Sequence, residues 1–217
     1  MSFQDSVMYS NRTELLGQVT LFKQNFYKTQ YISGFGRTED IPYGYRISFI
    51  GGWDKTMNIA RPYMGTDITL NTVNAKGVFY TYALTLGNYL NEDLIEDALA
   101  KMSVSRYSKL IAIRKSKLRN YTDLSFASQL NQTLKPKLTI NDPTGVMGFR
   151  PDSLEGSKRL RLRNEAVLYT SLKPWGFHLA PLLNIDLAYL GQMYDVLFKK
   201  KISIQAMELV FACVMKI

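Results

Sequence analysis

The sequence is poor in the residue types that build most active sites and metal centres. Of its 217 residues, one is a cysteine, Cys213, and one is a histidine, His178. A single cysteine excludes an internal disulfide and a cysteine-cluster metal site, and a single histidine excludes every site that needs two. A lipase or protease triad would need His178 as its base. The alternation around His178 favours a structural histidine instead. Acidic pairs leave two-carboxylate chemistry open without a specific pattern. We therefore predict no enzymatic activity, no metal and no cofactor.

Long apolar runs are also missing. No stretch of 18 or more apolar residues is present, which excludes a membrane-spanning helix. The residues from Met1 to Asp5 have neither the basic start nor the apolar stretch of a signal peptide. A hydrophobic content of 46% is nevertheless that of a folded chain. We expect a single domain over residues 1–217, either cytosolic or a piece of a longer protein.

The chain carries a net charge of +9, which admits a nucleic-acid surface, an anionic-lipid surface or a positively charged interior. Basic residues cluster near expected turns at 109–119 and 199–201. No recognition helix or aromatic RNA-binding motif accompanies them, so we predict no nucleic-acid partner.

What the sequence has in abundance is alternation with a period of two, the pattern of β-strands that have two different faces. One parity of the segment from position 159 carries a charged row, Arg159, Arg161, Arg163 and Glu165, while leucines dominate the other. Similar alternation occurs at 43–53, 64–71, 78–87, 123–130 and 177–189, and more weakly at 14–23, 27–36, 97–107 and 202–214. These patterns predict about ten strands. One stretch, 91–100, resembles a helix, but we do not favour a helix there.

The segments between the expected strands are short and rich in turn residues. Because they leave no room for crossover helices, we predict an all-β, antiparallel fold. Several strands reach about ten residues, as a tilted membrane strand requires. Aromatic residues recur near strand ends, and charged or small residues occupy mid-strand positions on the polar parity. These details favour a transmembrane β-barrel, with a soluble β domain as the alternative.

Four segments together resemble one known family. They are 36–44 (GRTEDIPYG), Gly148-Phe149, 154–165 (LEGSKRLRLRNE), and the stretch from Gly176-Phe177 to Asp186. In this order and spacing they resemble the barrel of the bacterial surface-antigen superfamily, the outer-membrane assembly and translocation proteins of the BamA and TamA type, in a Bacteroidetes form. The resemblance covers about residues 27 to 195. It implies a sixteen-stranded outer-membrane barrel, of which this chain would be a C-terminal fragment.

The resemblance also implies a loop lock. In that superfamily a long loop folds into the barrel, and an arginine of its Val-Arg-Gly-Phe-like tetrad pairs with an acid on the inner wall. Here the tetrad position reads Val-Met-Gly-Phe at 146–149, so the arginine is missing and Arg150 follows. We therefore expect a lock built from Gly148, Phe149, Arg150 and Asp186. The competing outcome pairs Asp186 with an arginine of the charged row and leaves Arg150 solvated.

The function implied is the insertion or export of proteins at the bacterial outer membrane. Its partners would be outer-membrane lipid and lipopolysaccharide, unfolded outer-membrane protein clients, and accessory lipoproteins. Glu165 would match the strand glutamate of the family, and the charged row would face the lumen. A passive porin-like anion channel and a soluble β-rich binding module are the alternatives.

One acidic group invites a calcium interpretation. Glu92, Asp93, Glu96 and Asp97 lie close together, but no ligand-spaced loop with glycine surrounds them. We predict a solvated loop there.

Overall fold

The chain forms one large antiparallel sheet. The computed structural model describes residues 11–32, 34–140 and 154–192, and the backbone of the strand at 202–215. The strands are β1 Arg12–Gln30, β2 Thr38–Thr56, β3 Ile59–Val73, β4 Phe79–Asn91, β5 Leu94–Tyr107, β6 Ile111–Ile113, β7 Ser116–Leu130, β8 Leu138–Thr139, β9 Glu155–Gly156, β10 Lys158–Tyr169, β11 Phe177–Gly191 and β12 Ile202–Met215. A single 3-10 turn, Pro174–Gly176, precedes β11. The prediction of an all-β, antiparallel fold of about ten strands is confirmed.

Among the described residues, no helix has the length and apolar character needed to cross a membrane.

Each long strand pairs with the next along the chain. The order in the sheet is β1-β2-β3-β4-β5-β7-β10-β11-β12, with β6 beside β7, while β8 and β9 pair separately. Because neighbours run antiparallel, alternate connections lie at the same end of the sheet. The connections 31–37, 74–78, 108–115 and 170–176 form what we call the loop end. The opposite turn end holds the connections 57–58, 92–93, 131–157 and 192–201.

One sequence expectation about strands needs correction. The patterns at 14–23 and 27–36 belong to one continuous strand up to Gln30, because β1 pairs with β2 along its whole length. The helix-like stretch at 91–100 is a hairpin turn followed by β5. Its two turn residues, Glu92 and Asp93, have φ of 46° and 68°, the left-handed conformation that two-residue hairpins require. β5 pairs with β4 there, in agreement with the sequence analysis, which did not favour a helix.

The sheet is curled. The guanidinium of Arg119 in β7 donates to Thr29 Oγ1 of β1 at 3.2 Å and to the carbonyl of Tyr31 at 3.2 Å. These strands are five intervals apart, which is roughly 24 Å in a flat sheet at about 4.8 Å per interval. Since one side chain bridges that separation, the sheet has a concave face on which these contacts lie and a convex face on the outside.

Polar side chains are buried on the concave face and apolar side chains are exposed on the convex face, which is the reverse of the arrangement in a water-soluble protein. Ser48 on the concave side is 1% exposed, while its neighbour Phe49 on the convex side is 55% exposed. Along β11, Asp186 is 1% exposed and Leu187 is 37% exposed. The same alternation leaves large apolar side chains exposed on the convex face of other strands, including Tyr45, Trp53, Met64, Leu70, Tyr82, Leu86, Met102, Val104, Leu124, Leu162, Leu183 and Ile185. The alternation in the sequence therefore marks a polar inside and an apolar outside.

Within the described residues the sheet has two edges. β1 and β12 each pair on one side only. β1 is 19 residues long, and its side chains are almost all exposed, so this edge presents unpaired backbone groups over a long strand.

The contact between β1 and β2 depends on a glycine. A Cβ at Gly52 would lie 2.0 Å from the carbonyl oxygen of Leu15, whereas a Cβ at Gly51 would have its nearest neighbour at 3.9 Å. We expect Gly52→Ala to lower the free energy of unfolding by about 1–3 kcal/mol and to increase amide exchange along β1, because the backbones must separate. Gly51→Ala is the matched control and should change little. Equal exchange in both variants would contradict this packing.

Candidate functional site on the concave face

The centre of the concave face is an ion-pair cluster built across β10 and β11. Antiparallel register places Arg163 directly opposite Asp186. Arg161 Nε donates to Asp186 Oδ1 at 2.9 Å, and Arg163 Nη2 donates to Oδ2 at 3.0 Å. A buried carboxylate is costly unless it is paired and hydrogen-bonded. Here two planar guanidiniums supply four hydrogen bonds to one carboxylate, which compensates its burial.

The rest of the charged row has different partners. Arg159 Nη1 donates to the carbonyl oxygen of Thr139 at 2.6 Å, so it contacts the connection between β7 and β10. Glu165 shares the parity of the arginines and is half-buried, and its backbone carbonyl accepts from Asn120 Nδ2 at 3.1 Å. The row therefore lies on the polar side of β10, with its first three members linked to other elements.

Three of the four residues expected in the loop lock, Gly148, Phe149 and Arg150, lie outside the described residues. The pairing of Arg150 with Asp186 stays a prediction. What the structure does show is Asp186 bonded to Arg161 and Arg163.

The described parts of the connection between β7 and β10 do lie against the concave face. Leu138 and Ile140 are buried and pack with Ala127, Ala188 and Leu190 into a small apolar cluster. Leu138 and Thr139 also pair with 155–156 as a two-stranded ladder. The connection thus folds back over the inside of the sheet at the turn end.

The strongest attachment of this connection was missed by sequence reasoning. The Asp97 carboxylate accepts hydrogen bonds from the backbone N–H groups of Thr133, Leu134 and Lys135 at 2.7–3.1 Å. Its side chain is 0% exposed. Three successive backbone donors around one carboxylate make a compact anion-binding nest, which we call the Asp97 anchor.

Arg61 completes the Asp97 anchor from β3. Its Nη1 lies 2.8 Å from both Asp97 Oδ2 and Glu96 Oε2, and its guanidinium lies over the ring of Tyr89 at 4.5 Å. The prediction of a solvated acidic loop is wrong for Glu96 and Asp97, although Glu92 and Asp93 are exposed. Arg61 and Asp97 are 36 residues apart, and no local pattern marks them as partners.

A second tie crosses the concave face at the loop end. Arg119 is buried and, besides its contacts with β1, donates to the Ser108 carbonyl at 2.7 Å. Beside it Tyr31 packs edge-on against Tyr169 at 4.9 Å, and Phe35 lies 4.3 Å from the ring of His178. The connection after β1 is therefore held against β7, β10 and β11, and His178 belongs to this aromatic cluster.

Between the Asp97 anchor and the contacts of Arg119 lies a cavity of about 280 Å³. Small residues form its floor, including Ala83, Ser103 and Ser125. The charged residues of the lining are Lys101, Arg159, Arg161 and Asp123. The space is open to polar solutes because its lining combines short side chains with cations. No group of three or more His, Cys, Asp and Glu suited to a metal occurs in the part of the chain that the structure describes.

No protein-family model, no curated protein and no solved structure matches this chain.

The Asp97 anchor generates a stability prediction. Asp97→Asn removes one of the two carboxylates beside buried Arg61, which keeps Glu96, so we expect about 1–3 kcal/mol of destabilisation at this site. The connection should then become a substrate for trypsin at Lys137, whose bond to Leu138 is an ordinary tryptic site. Asp93→Asn, in the exposed turn nearby, is the control and should leave cleavage unchanged. Identical cleavage of Asp97→Asn and the parent protein would show that the anchor does not hold the connection.

The ion-pair cluster around Asp186 leads to a second stability prediction. Asp186→Asn leaves two arginines on the concave face without their carboxylate, and we expect a loss of about 3–5 kcal/mol in equilibrium unfolding. Asp67 is the matched control: it lies opposite Ser48 on the same face and forms no ion pair with a described residue. Asp67→Asn should cost less than about 1 kcal/mol. A similar loss in both variants would count against a special role for Asp186.

Proposed function

We propose that the chain is a transmembrane β-barrel domain, or part of one, of the outer-membrane assembly and translocation type. Its location would be the bacterial outer membrane. Its partners would be the surrounding lipid, unfolded outer-membrane protein clients and accessory lipoproteins.

One observation carries the membrane part of this proposal. On β11, Leu183, Ile185 and Leu187 are exposed on the convex face, while Asn184 and Asp186 are buried on the concave face. In water this arrangement would leave apolar area solvated and bury charge, both of which are unfavourable. Surrounding hydrocarbon makes the same arrangement favourable, with the polar residues facing a lumen.

Strand length and curvature support the same proposal. The long strands contain 12 to 19 residues, more than the roughly 9–11 that a tilted strand needs to cross the hydrocarbon core. The sheet also curls far enough for β7 to reach β1 through Arg119. A barrel would remove the two edges, either by their meeting or through strands from a longer chain.

The assembly role rests on the edge strand and on the resemblance of the four sequence segments. β1 presents a long row of unpaired backbone donors and acceptors, which can template an incoming strand by β-augmentation. The connection after β7, seated on the concave face, agrees with a family in which a long loop folds inward.

A specific observation favours a second candidate, a passive anion channel. The cavity on the concave face is lined by Lys101, Arg159 and Arg161 against a single carboxylate, Asp123, and a lumen with this excess of basic groups would favour anions. The two candidates share a fold and differ in whether the barrel acts on other proteins.

The client test separates them. The protein is reconstituted into vesicles, an unfolded outer-membrane protein is added, and its folding is followed by the gel shift between unfolded and folded barrels. Faster client folding than in empty vesicles is the expected result. Anion-selective conductance without any acceleration would replace the assembly role by the channel.

The membrane placement makes its own prediction. Phe49→Arg puts a charge on the convex face in the middle of β2 and should cost about 2–4 kcal/mol in a bilayer if the site lies near the midplane. The control Ser171→Arg lies in an exposed connection at the loop end and should cost little. In a soluble protein the exposed Phe49 position would tolerate arginine, so equal stability of both variants in lipid would argue for the soluble alternative.

A further inference from the structure

Charge is segregated between the two ends of the sheet. The described connections of the loop end contain six basic residues and no acidic residue. The basic residues are Arg37, Lys76, Lys109, Arg114, Lys115 and Lys173. The described connections of the turn end contain two basic and three acidic residues, namely Lys135, Lys137, Glu92, Asp93 and Glu155. The basic surface at the loop end, which we call the cationic rim, therefore comes from all four of its connections.

The six cations of the rim form no salt bridge within the described structure. All six side chains belong to exposed residues, and none forms a salt bridge with a carboxylate that the structure describes. The cations on the concave face are different, because Arg61, Arg161 and Arg163 are each paired there. Six like charges gathered at one end repel one another, so an external anionic partner would stabilise this surface.

Exposed apolar side chains lie among these cations. Trp175 is 93% exposed beside Lys173, and Leu172 is 61% exposed in the same connection. Ile111 and Ile113 are exposed next to Arg114. Tryptophan and lysine together at the end of an apolar surface are typical of residues at a membrane-water interface, where the ring enters the head-group layer and the cation meets phosphate.

We propose that the cationic rim binds the phosphate groups of anionic lipid head groups. The inference deepens the proposed function and rests on it, because it takes the apolar convex face that adjoins the rim to be in contact with lipid. Phosphate satisfies the unpaired cations, and the acyl region next to it accepts Trp175 and Leu172.

A nucleic acid offers the same phosphate chemistry but fits the surface less well. Single strands are bound by grooves in which several aromatic side chains stack on successive bases. Here the cations are distributed over four connections around the sheet end, and their exposed apolar neighbours are one tryptophan and aliphatic residues. Anionic lipid is therefore the partner that the surface favours.

The two tryptophans of the chain allow the inference and the proposed function to be tested separately. Trp53 lies on the convex face, whereas Trp175 lies in the cationic rim. The full chain is reconstituted into phosphatidylcholine vesicles that contain brominated phosphatidylcholine or brominated phosphatidylglycerol, whose bromines quench nearby indoles. A Trp175→Phe variant reports Trp53 alone, and a Trp53→Phe variant reports Trp175 alone.

We expect both brominated lipids to quench Trp53 equally, and brominated phosphatidylglycerol to quench Trp175 preferentially. Adding Lys109→Gln and Lys173→Gln should lower the preference at Trp175 by about fivefold for each charge removed. The control pair Lys55→Gln and Lys137→Gln makes the same change in net charge at the turn end and should leave the preference intact. High salt should weaken the preference in the parent chain, since the charges are exposed.

The contrary results are distinct. If neither brominated lipid quenches Trp53, the membrane placement itself is overturned. If Trp53 is quenched but the two lipids quench Trp175 equally, only the lipid-binding rim is overturned. The same conclusion follows if both lysine pairs lower the preference at Trp175 equally. A Trp175 response to a DNA oligonucleotide that depends on Lys109 and Lys173, without a preference for phosphatidylglycerol, would assign the rim to nucleic acid instead.

Discussion

Pairing of buried charge is the constraint on which this structure depends. On the concave face of the described residues, apolar packing comes in small groups such as the cluster around Leu138 and Ile140 and the aromatic cluster around Tyr31 and Tyr169. Asp186 and Asp97 are nevertheless almost fully buried, and each is held by arginine from another strand. Removing one partner of a buried pair costs more than the intact pair contributes, which makes these contacts strong determinants of register and curvature.

The same requirement explains how the connections fold inward. A chain segment that crosses the inside of the sheet must satisfy its own backbone groups. Asp97 does this for 133–135, Arg159 for Thr139, and Arg119 for the end of β1 and Tyr31. Both ends of the concave face are therefore spanned by connections attached through a few polar side chains.

The outward face has a different role. Apolar residues such as Phe49, Trp53 and Leu86 are exposed on the convex face, because the alternation of each strand turns them away from buried polar residues such as Ser48 and Asp186. Hydrocarbon around the sheet would make their exposure favourable, and the basic residues gathered beyond it at the loop end would then meet lipid phosphate. The polar inside, the apolar outside and the cationic rim thus form one arrangement that a bilayer explains.

Most strands and their two faces could be predicted from the sequence, because alternation is local: a period of two separates Arg161 from Leu162 whatever the rest of the chain does. The antiparallel order could also be predicted, because connections this short leave no room for crossover helices. Only the tertiary structure decided that Asp97 anchors the connection after β7, since its partners Arg61 and Thr133 lie 36 residues away on either side and meet through curl and register. Likewise, the six rim cations are scattered from position 37 to 173 and become one surface only when alternate connections meet at one end of the sheet.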